Sequence, residues 1–157
     1  MAIRFYKVTD QYGSFSNFSR YGFELDGKYW PTSEHYFQAQ KFESVNIQEE
    51  IQNAKTPMAA AQMGRDKNRP LRKDWEEIKD AVMKKAVLQK FMTHTELKEL
   101  LLSTGDEEII EDTQDDYYWG CGKKGTGKNI LGKILIDVRT ILINPSINNQ
   151  TENPNVE

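Results

Sequence analysis

Along the 157 residues the spacing of hydrophobic positions changes character once, near Pro31. Before it, "IRFYKV" (Ile3 to Val8) has strand composition and runs into "TDQYGSFSNF", rich in turn formers. "FELDGKYW" predicts a hairpin, because Asp26-Gly27 suits a type I′ turn between β-favouring residues. After Pro31 the spacing is helical. Asn46 with Glu49 offers a capping box for a helix over roughly Ile47 to Ala54. Thr56-Pro57 reads as an N-cap followed by proline at the first helical position of "PMAAAQMG". Asp74 with Glu77 offers a second box, opening the longest helix, "WEEIKDAVMKKAVLQKF", with Trp75, Ile78, Val82 and Ala86 to Phe91 on its buried side. "TELKELLLSTG" is a short helix stopped by Gly105, and "EEIIEDT" is a strand or an extended connector. "NILGKILIDVRTILI" is apolar over a wide arc and predicts a helix central to the core, ended by Pro145. The expectation is a mainly α fold with a small β element near the N-terminus, one domain over 1–144, and a polar, flexible tail over 145–157.

Composition narrows the function classes. The length suits one substantial core, and a net charge of −3 argues against bulk attraction to nucleic acid or anionic membrane. No apolar run is long enough to span a bilayer, and no signal peptide pattern is present. A single cysteine, Cys121, excludes an internal disulfide framework and fits a reducing compartment, so the cytoplasm is expected and the Asn149 sequon is incidental.

Three stretches could carry chemistry. In "WPTSEHYFQAQKF", a helix capped by Thr32 or Ser33 stacks Glu34, Gln38 and Lys41 on one face. Glu34 and Lys41 stand about 10 Å apart along the axis, too far for an ion pair but able to reach one bound molecule. The bland alternative is a solvated polar face. His35 reads as a packing or hydrogen-bonding residue, since no second ligand follows at metal spacing.

In "DTQDDYYWGCGKKGTGKNILG", Gly120, Gly122, Gly125 and Gly127 precede a helix N-terminus among lysines. Such a loop can cradle a phosphate with backbone N–H groups, or be only a soluble turn. "GKKGTGKN" nearly matches a P-loop, but Asn129 replaces the metal-binding hydroxyl and the flanking strands are missing, so the match is accidental. Trp119 offers a stacking face for a heterocycle. Asp115-Asp116 reads as turn chemistry, and Cys121 has no base nearby in sequence. In "GRDKNRPLRKDW", Arg65, Lys67, Arg69, Arg72 and Lys73 form a positive cluster, either a solvated connector or a phosphate clamp, and Trp75 is core or lid.

Taken in order, "FSNF", "WPTSEHYFQAQKF", "MGRDKNRPLRKDW", "LLSTG" and "DDYYWGCGKKGTGKNILG" resemble the NADAR (YbiA-like) family, from about Phe5 to the end of the last helix. The pattern is similar to that of bacterial members that act as N-glycosidases on riboflavin biosynthesis intermediates. The resemblance implies an orthogonal helical bundle with a small β element. It also implies hydrolysis of the bond between a ribose phosphate and an exocyclic amine. The substrate would be a ribosylamino-pyrimidine phosphate or, alternatively, ADP-ribose on guanine, free or in nucleic acid. A non-catalytic nucleotide-binding module is the remaining alternative. Carried over by motif, Asn17, Glu34, Lys41, Trp75, Trp119 and Asn129 fall at the pocket. Trp30, Gln38, Arg65, Asp116 and the four glycines Gly120, Gly122, Gly125 and Gly127 complete the expected binding set. Lys41 would be the nucleophile and Glu34 the proton shuttle, or Glu34 alone would activate water. Neither scheme calls for a metal or cofactor, and no membrane or protein partner is implied.

Overall fold

A computed structural model describes residues 1–144; the expected tail over 145–157 lies outside the described residues. Strand β1 (Ile3–Phe5) comes first, then the hairpin β2 (Phe23–Leu25) and β3 (Lys28–Trp30). Asp26 and Gly27 both take positive φ, 54° and 76°, as the I′ turn requires. Register pairs Phe23 with Trp30, so both large side chains fall on one face and are buried.

Five helices follow: α1 (Ser33–Ala39), α2 (Val45–Gln52), α3 (Pro57–Gly64), α4 (Trp75–Thr93) and α5 (Thr95–Ser103). Thr32 caps α1 by accepting from His35 N, and Thr56 caps α3 ahead of Pro57. The two expected capping boxes do not form. Ser44 Oγ caps α2, which leaves Asn46 inside the first turn. Asp74 holds the cap position of α4, but its carboxylate takes the Arg72 guanidinium at 2.6 and 3.1 Å instead of a backbone N–H. A charged bidentate donor outcompetes a backbone amide there. Gly105, at φ 64°, follows α5.

The "EEIIEDT" stretch is strand β4 (Ile109–Glu111), which pairs parallel with β1, Phe5 facing Glu111. It leads through the glycine loop to α6 (Ile130–Ile143), whose Leu131, Leu135 and Val138 have no exposed surface. Among the described residues no helix is long and apolar enough to cross a membrane.

Two apolar cores result. One gathers α4, α5 and α6 around Phe91, Leu101 and Leu135; the other joins the hairpin to α1–α3 around Phe23, Trp30 and Phe42. Helix α1 lies between them, giving Phe37 to the first core and Tyr36 and Ala39 to the second. That placement buries every residue of α1, polar ones included.

Candidate active site

A polar helix face in contact with water needs no explanation, but this one is buried. Glu34 is 7% exposed and Gln38 4%. Gln38 Nε2 donates to Glu34 Oε1 at 2.7 Å, the i,i+4 contact that helical spacing allows. Lys41 lies just past the end of α1 and points its Nζ to Gly64 O at 3.4 Å, near the Phe37 ring. A cavity of about 330 Å³ brings these three together with Asn17, Arg65, Trp75, Asp116 and Trp119. That size suits a small ligand.

The walls follow from packing. Phe37 stands between two tryptophans, 5.0 Å from Trp75 and 5.2 Å, edge to face, from Trp119. Asn17 is fastened to α1: its Oδ1 accepts from Ser33 Oγ at 2.8 Å and its carbonyl from Glu34 N at 3.2 Å. Asp116 Oδ1 accepts from the N–H groups of Tyr118 and Trp119, at 2.9 and 2.8 Å, and so sets the loop that presents Trp119. Lys90, wholly buried under the Asn17 segment, donates to Ser14 O, Ser16 O and Ser19 Oγ at 2.6–3.0 Å.

Burial shifts the ionisable groups. It raises the Glu34 carboxyl, against which the Gln38 hydrogen bond and the charges of Lys41 and Arg65 pull down. It lowers Lys41, partly offset by Glu34, while Arg65 adds to the depression. The cavity thus holds an amine biased towards its neutral, nucleophilic form beside a carboxyl biased towards proton exchange.

Six of the expected binding residues lie elsewhere. Trp30 is a core residue, 2% exposed, with its indole on Leu25 O at 3.0 Å and its ring against Tyr36. Gly120, Gly122, Gly125 and Gly127 do not line the cavity, and the N–H groups of Gly122, Gly125 and Gly127 are spent inside the loop instead of forming an anion cradle. Gly122 N bonds Thr113 Oγ1, Gly125 N bonds Gly122 O, and Gly127 N bonds Cys121 O. The N–H groups of Asn129, Ile130 and Leu131 likewise bond the carbonyls of Gly120, Tyr118 and Trp119, which closes the start of α6 to an anion. Gly127 serves close packing, since a Cβ there would collide with the backbone of Gly120 and Cys121, while Gly125 stands in open space at φ 73°. Asn129, at φ 52°, bridges β4, accepting from Glu111 N at 3.0 Å and donating to Ile109 O at 2.8 Å. The basic cluster also divides. Arg65 reaches the cavity, whereas Arg69 pairs with Glu50 at 2.9 Å and Arg72 with Asp74.

Sequence reasoning missed Glu111, Lys79, Met83, Phe37, Ser16 and Phe18 among the lining residues. Glu111 had a signal. Two residues beyond buried Ile109 in a strand, it shares that inward face, an unusual place for an acid.

The family model described as "NADAR domain" matches residues 4–143. The chain is 53% identical over 137 residues to N-glycosidase YbiA of Escherichia coli (strain K12), covering 87% of this chain and 86% of that protein. It is 40% identical over 137 residues to riboflavin biosynthesis protein VVA0006 of Vibrio vulnificus (strain YJ016), covering 87% of this chain and 37% of that longer protein. The NMR structure of the E. coli protein YbiA superposes with a TM-score of 0.86 at 50% identity, covering 93% of this chain and 87% of that one.

Proposed function

The chain belongs to the NADAR domain family as a hydrolase of N-glycosyl compounds, and from that premise we propose that it cleaves ribosylamino-pyrimidine 5′-phosphates, the early intermediates of riboflavin synthesis. One observation carries the reading: a buried carboxyl–amide pair, Glu34 and Gln38, shares a small aromatic-floored cavity with the half-buried amine of Lys41. The name of the Vibrio relative supports the pathway class.

A riboside joined through an exocyclic amine is an N,O-acetal, so its ring can open to an imine without a free oxocarbenium ion. Neutral Lys41 attacks C1′ of that imine, and Glu34 carries the proton that the new C–N bond releases to the former imine nitrogen, returning to its ionised form. The base amine leaves, a lysine Schiff base remains, and water activated by Glu34 hydrolyses it to ribose 5-phosphate. The pyrimidine stacks on Trp119 above Phe37, and Arg65 takes the phosphate. Asn17 and Gln38 hold ribose hydroxyls.

A second reading is favoured by the clefts beside Arg65. One, of about 410 Å³, continues past Lys41 and Trp75 to Lys67 and Arg69; the other runs past Phe18 and Asp116 to Met58 and Lys7. They leave room for more than a monophosphate, as ADP-ribose on guanine would need. The protein is therefore incubated with a ribosylamino-pyrimidine phosphate and, separately, with ADP-ribosylated guanosine, and the released base is followed by mass spectrometry. Pyrimidine release alone upholds the first reading, guanine release alone the second. Release of neither rejects both.

A further inference from the structure

We propose that Glu111 is a further catalytic residue of this cavity: as a neutral carboxylic acid it hands its proton to the nitrogen of the departing base. The inference rests on the N-glycosidase reading above and assigns the acid which that reaction needs.

The backbone fixes Glu111 at the end of β4. Its N–H bonds Asn129 Oδ1 at 3.0 Å, and its carbonyl accepts from Cys121 N and Thr113 N at 2.9 and 3.0 Å. The side chain lines the same cavity as Glu34, and its Oε2 is buried without any hydrogen-bond partner. A carboxylate with a bare, buried oxygen is unfavourable, whereas a carboxylic acid escapes the charge and gains a proton to donate.

The neighbours of the two glutamates differ. Glu34 has the Gln38 amide on one oxygen and is drawn towards its charged form by Lys41 and Arg65. Glu111 has no such donor, and burial together with the charges of Asp116 and Glu34 pushes it up to about 8. The other charges facing the cavity are Lys41 beyond α1, Arg65 at the end of α3 and Lys79 on α4. On the strands beside it, Arg4 of β1 is engaged by Asp112 at 3.5 Å. Burial raises both carboxyls, but only Glu34 has a donor and cations to hold its charged form, and that asymmetry divides the pair into a base and an acid.

The step balances. As the C1′–N bond breaks, its electron pair stays on nitrogen, which takes the Glu111 proton and leaves as the amine. Water then supplies the oxygen that C1′ gains. The proton it releases passes through Glu34 and restores Glu111. Asn129 is a positioning residue, holding the end of β4 from two sides.

Two measurements on the full chain test this. The first is an infrared pH titration of the native protein against Glu111→Gln. A protonated-carboxyl band at pH 7 that the variant lacks, and that fades as pH rises through about 8, is expected. No difference at pH 7 overturns the proposal. The second is kinetic, with phosphoribosides of amines of graded basicity. Glu111→Gln lowers kcat by about 10²- to 10⁴-fold on the most basic leaving amine, by less on electron-poor ones, and removes the basic limb of the pH profile. An even loss across the series, or none, overturns the proposal while native turnover keeps the N-glycosidase reading. If the native protein releases no base at all, that reading falls and the proposal with it. Should Glu111→Gln not fold, Glu111→Asp is measured instead: a lower kcat with the basic limb retained supports the assignment, and an unchanged kcat overturns it.

Discussion

Gln38 and Gly64 meet where any larger residue at position 64 would collide: a Cβ there would strike the Gln38 amide oxygen, which is itself buried without a partner. The same amide holds Glu34 at 2.7 Å through its nitrogen, so a missing side chain on α3 fixes the orientation of a carboxylate on α1.

Two substitutions act on that relationship. Gln38→Leu removes the donor that favours the charged form of Glu34, and the carboxyl rises further. A base that must be ionised then works only at higher pH, so the acidic limb of the kcat/KM profile moves up. Loss of one hydrogen bond to a charged group predicts a fall of about 10- to 100-fold at neutral pH. Gly64→Ala, by displacing Gln38, shifts the limb in the same direction with the amide still present. An acidic limb that stays in place in both variants would show that Gln38 does not tune Glu34.

Lys41→Arg keeps a cation in place but offers no neutral amine, since guanidinium stays protonated in proteins. Turnover is expected to drop by at least about 10³-fold, the scale on which a lost covalent route is felt. Borohydride added during native turnover is expected to leave a ribose phosphate adduct on Lys41, read by peptide mass. Near-native turnover of Lys41→Arg with no adduct would transfer the chemistry to Glu34 and water alone.

Much of the fold was legible because it depends on local signals. The Asp26-Gly27 turn, the Thr32 and Thr56 caps and the apolar arc of α6 all lie in short windows of sequence. The misreadings came from competition for the same donors and acceptors. Asp74 looked like half of a capping box, yet Arg72 claims its carboxylate; the glycine loop looked like an anion cradle, yet oxygens within the loop take the N–H groups of Gly122, Gly125 and Gly127. Glu111 was hidden for a related reason. Its strand pairs with β1, over a hundred residues earlier in the chain, so alternation within β4 puts Glu111 on the face of Ile109 but only the distant partner shows that the stretch is a strand. Spacing put Glu34, Gln38 and Lys41 in a row, but not under cover. Burial depends on α1 lying between two cores, which no window of thirteen residues contains.

Arg65 lines the cavity and both flanking clefts, which makes it the cation best placed for a phosphate at their junction. Arg65→Ala is expected to raise KM for the 5′-phosphorylated riboside by about 10- to 100-fold, the worth of a charge-assisted contact. For the dephosphorylated riboside KM should change little. Steady-state kinetics on the matched pair decide the matter, and an equal effect on both compounds would remove Arg65 from the phosphate.

Lys90 supports the site from below. Its ammonium is enclosed, and burial pushes it down to about 7 from an ordinary 10.5. Three oxygens of the Ser14–Ser19 segment replace its water, and that segment carries Asn17 into the cavity. Lys90→Met removes three charge-assisted hydrogen bonds and leaves those oxygens only their bonds with the Ser19 hydroxyl and N–H, a loss of about 2 kcal/mol, readable as a lower urea midpoint. The sign of its pH dependence follows from proton counting. Between about 7 and 10.5 the unfolded chain holds the Lys90 proton more often than the folded one, so this group makes the native protein more stable as pH rises across that window. Methionine cannot titrate, so the stability gap between native and variant should widen from pH 7 to pH 10. A gap that narrows instead would mean that the three oxygens hold the ammonium charged, against the pull of burial.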